Sequence, residues 1–101
     1  MSRLVLVTGG NGAFGSVLVS ALADRGDQVR VLDVVAAASR RDEVEMIRGD
    51  VRSPGDVRRA VEGVDVVFHN VAAPLTRDTS LFESVNVGGT NTLLYACERA
   101  R

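Results

Sequence analysis

The sequence predicts an α/β fold: the first half of a doubly wound parallel sheet, with about four strands in the order 3-2-1-4 and helices flanking it. Three observations predict it. Short apolar runs alternate with segments whose apolar residues recur at helical spacing, which is the rhythm of β-α-β units. A glycine cluster, Gly9, Gly10, Gly12 and Gly15, stands between the first run and the first helical segment. Stop and cap residues, among them Gly26, Ser53-Pro54 and Gly63, punctuate the rest.

Taken in order, Arg3 to Thr8 reads as a buried strand. Phe14, Val17, Leu18, Ala21 and Leu22 then fall at helical spacing until Gly26 supplies a stop. Gln28 to Val34 is the second strand, followed by a loop of Ala, Ser and Arg that contains Arg40 and Arg41. Val44 to Gly49 is a shorter third strand. After it, Ser53-Pro54-Gly55-Asp56 places Ser at the N-cap, Pro at the first helical position and an acid three residues on. Val57, Ala60 and Val61 give that helix an apolar face, and Gly63 closes it. Val64 to His69 is apolar almost throughout, as parallel strands covered on both faces are. From about Ser80 to Arg101 the chain reads as a helix with Leu81, Val85, Gly88, Gly89, Thr92, Leu93 and Ala96 on one side. Right-handed crossovers then place the fourth strand at an open edge, and that edge carries no proline or lysine to discourage pairing. Either another segment covers it or the isolated chain is marginally stable and self-associates through it.

A chain of 101 residues has room for one domain, 1–101, and buries about 65% of its unfolded surface. With 46% hydrophobic and 25% charged residues it has the composition of a globular protein, and with four aromatics its core falls to Val, Leu and Ala. A net charge of −1 offers no basic field for nucleic acid or an anionic membrane surface. Cys97 is the sole cysteine, which excludes an internal disulfide and fits a reducing cytoplasm as a small buried helix residue. The first apolar run is cut short by Gly9 and Gly10, too early for a signal peptide or a membrane span. No metal-ligand cluster is evident.

The segment Thr8-Gly9-Gly10-Asn11-Gly12-Ala13-Phe14-Gly15 carries G-x-G-x-x-G from Gly10 and G-x-x-G-x-x-G from Gly9. A strand that turns sharply into a helix leaves backbone N–H groups bare at the positive end of the helix, where a pyrophosphate can approach; side chains there would block it. The pattern follows a strand and opens a helix, the context that gives it meaning. Asp33 stands 18 positions after Gly15 at the end of the second strand, where an acid accepts hydrogen bonds from the adenosine ribose and repels a 2′-phosphate. The cofactor expected is therefore NAD, with NADP the lesser alternative because Arg40 and Arg41 could fold back toward a phosphate.

These residues, together with Gly49-Asp50-Val51, His69 to Ala72 and Asn86-Val87-Gly88-Gly89-Thr90, occur in the order seen in the extended short-chain dehydrogenases, the NAD-dependent epimerase/dehydratase group, and the resemblance spans the whole chain. It implies a Rossmann dinucleotide-binding unit. It also implies that Asp50 accepts from the adenine amino group and Val51 flanks the ring. An acid assisting the Ser53 helix is the other reading of Asp50. By the same resemblance Asn70, Val71 and Ala72 run beside the nicotinamide ribose, and Asn86 supports the active-site water and backbone network; packing of the last helix is the other reading of Asn86. His69 reads as a strand-end histidine with a structural role, since it has no nucleophile or metal partner.

The family's chemistry uses a tyrosine as acid/base, a lysine four positions later and a serine or threonine that orients the substrate. The chain has no lysine, and its one tyrosine, Tyr95, is followed at that spacing by Arg99 inside the last helix, ahead of the expected catalytic segment. No catalytic residue is therefore assigned. Two functional classes follow. One is the truncated cofactor half of an NAD-dependent epimerase, dehydratase or dehydrogenase acting on a sugar-nucleotide, a steroid-type or another secondary alcohol. The other is a non-catalytic NAD-binding or sensing module, or an inactive fragment.

Overall fold

A computed structural model of the chain describes residues 3–35, 43–70 and 84–100. Its strands are β1 (Leu4–Thr8), β2 (Gln28–Asp33), β3 (Glu45–Arg48) and β4 (Val66–His69). All pairs are parallel and the order is β3-β2-β1-β4, as the sequence predicts. Thr8 pairs with Leu32 and with His69, and Asp33 pairs with Arg48. The register thus brings Thr8, Asp33, Arg48 and His69 to the C-terminal edge of the sheet, the edge at which such folds hold ligands.

Strand ends fall one or two residues inside the predicted bounds because the outer residues are engaged elsewhere. The Val64 N–H donates to the Val61 carbonyl, which keeps Val64 in the turn after the preceding helix. Asp65 accepts the Leu4 N–H on its carboxylate at 2.7 Å and donates its own N–H to the Leu4 carbonyl.

Among the described residues three α-helices cover the sheet: α1 (Ala13–Asp24), α2 (Pro54–Val61) and α3 (Gly89–Ala100), the last entered through a π-helical turn, Ser84–Gly88. Strand residues alternate between two cores, as period-2 geometry requires. Val5, Val7, Val29 and Val31 face α1 and meet Val19, Leu22 and Val44. On the other side Leu6 and Leu32 meet Val51, Val57, Ala60, Val61, Leu93 and Ala96. Each of these Val and Leu side chains contributes about 1.5–3 kcal/mol by leaving water. Arg30 ties the second face together. It pairs with Glu45 at 2.9 Å and donates to the carbonyls of Ala60 and Glu62 at 2.8 and 2.7 Å.

Three expectations need correction. In α1 the buried stripe is Gly15, Val19 and Leu22, while Phe14, Val17 and Ala21 are exposed. The helix is apolar on two sides, so spacing alone does not choose between them; the close seat of Gly15 against the glycine loop does. In the last helix, residues 80–83 lie outside the described residues, and the described part opens with the π-turn rather than a continuous α-helix. Its buried residues include Gly89, Leu93 and Ala96 as predicted, with Thr92 half-buried, while Leu81 and the Val85 side chain fall outside the description. Finally, among the described residues β4 is only partly covered: Val66 and Val67 pack against the two cores, but no β4 residue is fully buried. Phe68 is 37% exposed, because β4 is an edge strand and α1 lies over β1 and β2.

Helix α2 begins as predicted. The Ser53 hydroxyl accepts the Asp56 N–H at 3.4 Å, and Pro54 occupies the first turn. Cys97 is half-buried against the second core, and that burial pushes its thiol pKa up, away from reactive thiolate. Among the described residues no helix is long and apolar enough to cross a membrane.

Candidate functional site

The glycine loop is built from its backbone outward. Gly9 adopts a positive φ of 70°, its N–H donates to the Leu32 carbonyl at 2.9 Å, and its carbonyl accepts the Gly12 N–H at 3.2 Å. A Cβ on Gly15 would stand 2.2 Å from the Gly9 oxygen, and one on Gly10 would stand 2.7 Å from a Val31 methyl. These three glycines are required by the loop itself. Gly12 is not. A Cβ there would meet only the Gly9 oxygen, at an ordinary 3.5 Å, and the residue is exposed with φ −77°. Gly12 is also the N-cap of α1, where it supplies no side-chain hydrogen bond, and the first turn of the helix holds no acid. Among the described residues the positive end of α1 is left open, flanked by exposed Ala13 and Phe14.

Asp33 closes the loop from the other side. Only 9% exposed, its carboxylate accepts the Asn11 N–H at 3.0 Å on Oδ2 and the Val35 N–H at 3.1 Å on Oδ1. Each oxygen keeps lone-pair capacity for a further donor. The Asn11 side chain completes a staple: its Nδ2 donates to the Val35 carbonyl at 2.5 Å and to the Met46 sulfur at 3.4 Å. The sequence places Asn11 in the loop but gives no sign of this staple, which joins residues 24 and 35 positions apart.

Asp50 and Val51 follow β3. The Asp50 carboxylate is gripped by Arg52, through the backbone N–H at 2.8 Å and the guanidinium at 2.6 to 3.0 Å. Hydrogen bonds from the Arg52 side chain hold the Asp50 carboxyl below the usual carboxylate range. The acid in the first turn of α2 is Asp56, not Asp50. Asp56 accepts the Asp50 N–H on Oδ2 at 3.0 Å and pairs with Arg59 at 2.8 Å, and these bonds lower its pKa. Val51 is 4% exposed and buried in the second core, with a methyl directly over Gly89, so its side chain packs whether or not a ring lies beside it.

Asn70 donates its N–H to the Thr8 hydroxyl at 2.9 Å and its side-chain amide to the Gly9 carbonyl at 3.4 Å, placing it against the glycine loop. His69 lies between Thr8 Oγ1, 2.7 Å from its Nδ1, and Thr90 Oγ1, 2.9 Å from its Nε2. Burial holds its pKa below the ordinary value. Asn86 sits in the π-turn, and its carbonyl accepts the Thr90 hydroxyl at 2.6 Å. Val71, Ala72, Arg40 and Arg41 lie outside the described residues.

The structure thus brings together the glycine loop, Asp33 and Asn70, and links Asn86 to them through His69. Tyr95 and Arg99 stand elsewhere, in a groove between α2 and α3 lined also by Pro54 and Arg58, with Tyr95 66% exposed.

Residues 6–101 match the 3-beta hydroxysteroid dehydrogenase/isomerase family. The chain belongs to this family. Among its relatives, short-chain dehydrogenase/reductase family 42E member 1 of Bos taurus is 40% identical over 102 residues, which cover 94% of this chain and 26% of the bovine protein. The 3 beta-hydroxysteroid dehydrogenase/Delta 5-->4-isomerase of Mycobacterium tuberculosis is 38% identical over 105 residues, covering 95% of this chain and 28% of that protein. Of solved structures, the UDP-glucose 4-epimerase of Thermus thermophilus in complex with NAD superposes with a TM-score of 0.86 at 35% identity, over 97% of this chain and 34% of that one. The chain therefore spans about a quarter to a third of the length of the proteins it matches. The family supports the resemblance to NAD-dependent epimerases and dehydrogenases, and the superposition confirms the Rossmann-type sheet.

Proposed function

We propose that residues 1–101 are the dinucleotide-binding portion of an NAD-dependent dehydrogenase or epimerase acting on a secondary alcohol, of the sugar-nucleotide or steroid type. The observation that carries the reading is Gly12: a glycine that the loop's own packing does not require, capping a helix whose positive end, among the described residues, has neither a side-chain cap nor a first-turn acid. A pyrophosphate fits that opening, because its charge is stabilised by the helix dipole and its oxygens accept the bare N–H groups. In this reading Gly9 to Gly15 hold the pyrophosphate and Asp33 accepts from the adenosine ribose hydroxyls. Asp50 and Val51 border the adenine, Asn70, Val71 and Ala72 run beside the nicotinamide ribose, and Asn86 supports the active-site water and backbone network.

The bound cofactor supplies the hydride acceptor. The residues of this chain bind and orient it. The tyrosine and lysine of the family's proton transfer are not among them, since the chain has no lysine. The carboxylate of Asp33, held in place by two backbone N–H groups, favours NAD. A 2′-phosphate brought to the end of β2 meets a fixed negative charge in a low-dielectric setting. That relatives are solved with NAD bound supports the same choice.

Calorimetric titration with NAD and with NADP, repeated on Asp33→Ala, tests the proposal. NAD binds at least about tenfold more tightly than NADP, a difference of about 1.4 kcal/mol, and the variant loses that preference. A folded sample that binds neither nucleotide, or that prefers NADP, overturns the reading.

A further inference from the structure

We propose that His69 is a positioning residue: a neutral imidazole, protonated at Nε2, that couples the cofactor loop at the end of β1 to the π-turn carrying Asn86. This deepens the cofactor-binding reading and rests on it for its functional consequence, though not for the chemistry of the imidazole itself.

The proton positions follow from the acceptors. The Asn86 carbonyl can only accept, so at 2.6 Å the Thr90 hydroxyl donates to it. Thr90 Oγ1 has then spent its one hydrogen, and the ring nitrogen 2.9 Å away, Nε2 of His69, must donate to it. A neutral ring protonated at Nε2 has a bare Nδ1, which accepts from the Thr8 hydroxyl at 2.7 Å. Thr8 Oγ1 in turn accepts the Asn70 N–H at 2.9 Å. Among the described residues the half-buried ring has two hydroxyls and no charged group as hydrogen-bond partners, so the neutral form suits its surroundings.

The bonds form one directed chain: Asn70 N–H to Thr8, Thr8 to His69, His69 to Thr90, and Thr90 to the Asn86 carbonyl. Three separate elements are spanned, β1, β4 and the start of α3. At one end the Asn70 amide touches the Gly9 carbonyl, and so the glycine loop. At the other end is the π-turn, a local widening of the helix of the kind that recurs at functional sites. Directed chains of this kind strengthen cooperatively and fix one arrangement of their members. Among the described residues the hydrogen bonds of the His69 ring go to Thr8 and Thr90 and not to the glycines of the loop or to Asp33. The effect of His69 on the cofactor is exerted through Asn70 and the π-turn.

Two measurements on the protein test the proposal together. Nitrogen-15 NMR of the imidazole above its titration range is expected to show Nε2 protonated and Nδ1 bare. In the same protein Thr8→Val, Thr90→Val and the double variant are compared in NAD affinity and in thermal midpoint, with Thr90→Ser as the conservative rescue. The two threonines are joined here through the imidazole. The expected result is that each single variant weakens NAD binding several-fold, the double variant weakens it no more than the worse single, and Thr90→Ser restores it. In a His69→Phe background the two threonine effects become independent of one another. An Nδ1-protonated tautomer overturns the proposal. So do additive threonine effects, or variants that lower the thermal midpoint while leaving NAD affinity intact. If the unaltered protein binds no NAD, the cofactor reading falls and the positioning claim with it. The tautomer and the thermal cycle then still decide whether the chain of bonds exists.

Discussion

Helices α1 and α2 start in the same way, each after a turn that leaves the C-terminal end of a parallel strand, and each faces the same problem of bare N–H groups in its first turn. They solve it oppositely. The N-terminus of α2 is closed from within: Ser53 caps it, Pro54 removes one donor, and Asp56 sets a carboxylate in the first turn that also takes the Asp50 N–H. The N-terminus of α1 has a glycine at the cap, no side-chain hydrogen bond and no acid. The chain evidently has the means to cap a helix and does not use them at α1. An omitted cap is informative when its neighbour in the same sheet is complete, because the fold alone does not account for the difference.

Gly15→Ala breaks the comparison most severely. Its Cβ would fall 2.2 Å from the Gly9 oxygen, backbone that cannot step aside without reshaping the loop. Overpacking of this kind costs about 1–3 kcal/mol or more, so a lowered thermal midpoint and loss of NAD binding are expected together. Gly12→Ala separates the two. Its Cβ finds ordinary contact, so stability falls by less than about 1 kcal/mol, the difference between Gly and Ala as an N-cap. NAD affinity, however, drops tenfold or more as a methyl enters the opening. Chemical denaturation and titration on the same samples check both. Equal stability losses in the two variants would mean that Gly12 is structural after all.

Ser53→Ala supplies the opposite control. Removing the α2 cap costs about 1 kcal/mol and leaves NAD affinity unchanged, since Ser53 belongs to the end that the chain closes for itself. A cap deletion that weakened NAD binding as much as Gly12→Ala does would erase the distinction between the two helix ends.

How much of this was legible in the sequence depends on whether a feature is local. The α2 cap was readable in full, because Ser, Pro and Asp act within four residues of one another. The strand order was readable because right-handed crossovers leave few alternatives. The apolar spacing of α1 marks its buried face only in part, since Leu22 is buried and Leu18 packs against the core while Phe14 and Val17 are exposed. Phe14 and Val17 are more hydrophobic than Gly15, yet the helix turns inward the residue that lacks a side chain, because the Gly9 carbonyl lies against it. The role of Asp50 was read in two ways, and the first-turn role belongs to Asp56, whose carboxylate folds back six residues to the Asp50 N–H. The Asn11 staple and the bonds around His69 had no sequence signature. Their partners are 24 and 35 positions away in one case and 61 and 21 in the other, and only the parallel register brings them together.

The smallest expected effect is a difference in acid sensitivity between the two helix ends. Asp50 and Asp56 both hold their carboxyls below the usual range, Asp50 chiefly through the Arg52 side chain and Asp56 chiefly through the Asp50 N–H. A depressed folded pKa means that the unfolded chain takes up protons first as the pH falls. The stability these groups contribute is complete above the unfolded carboxylate pKa, about 4, and is lost as the pH falls through their lowered folded values. The first turn of α1 has no acid and adds no such slope. Urea denaturation between pH 6 and pH 3 should therefore show a stability loss in the acid range that is shallower in Asp56→Asn. The Asp50 and Asp56 ion pairs are partly solvated, so 1 M salt should flatten the slope further. An unchanged slope in Asp56→Asn would assign the acid sensitivity to other carboxylates, and would leave the closure of α2 resting on Ser53 and Pro54 alone.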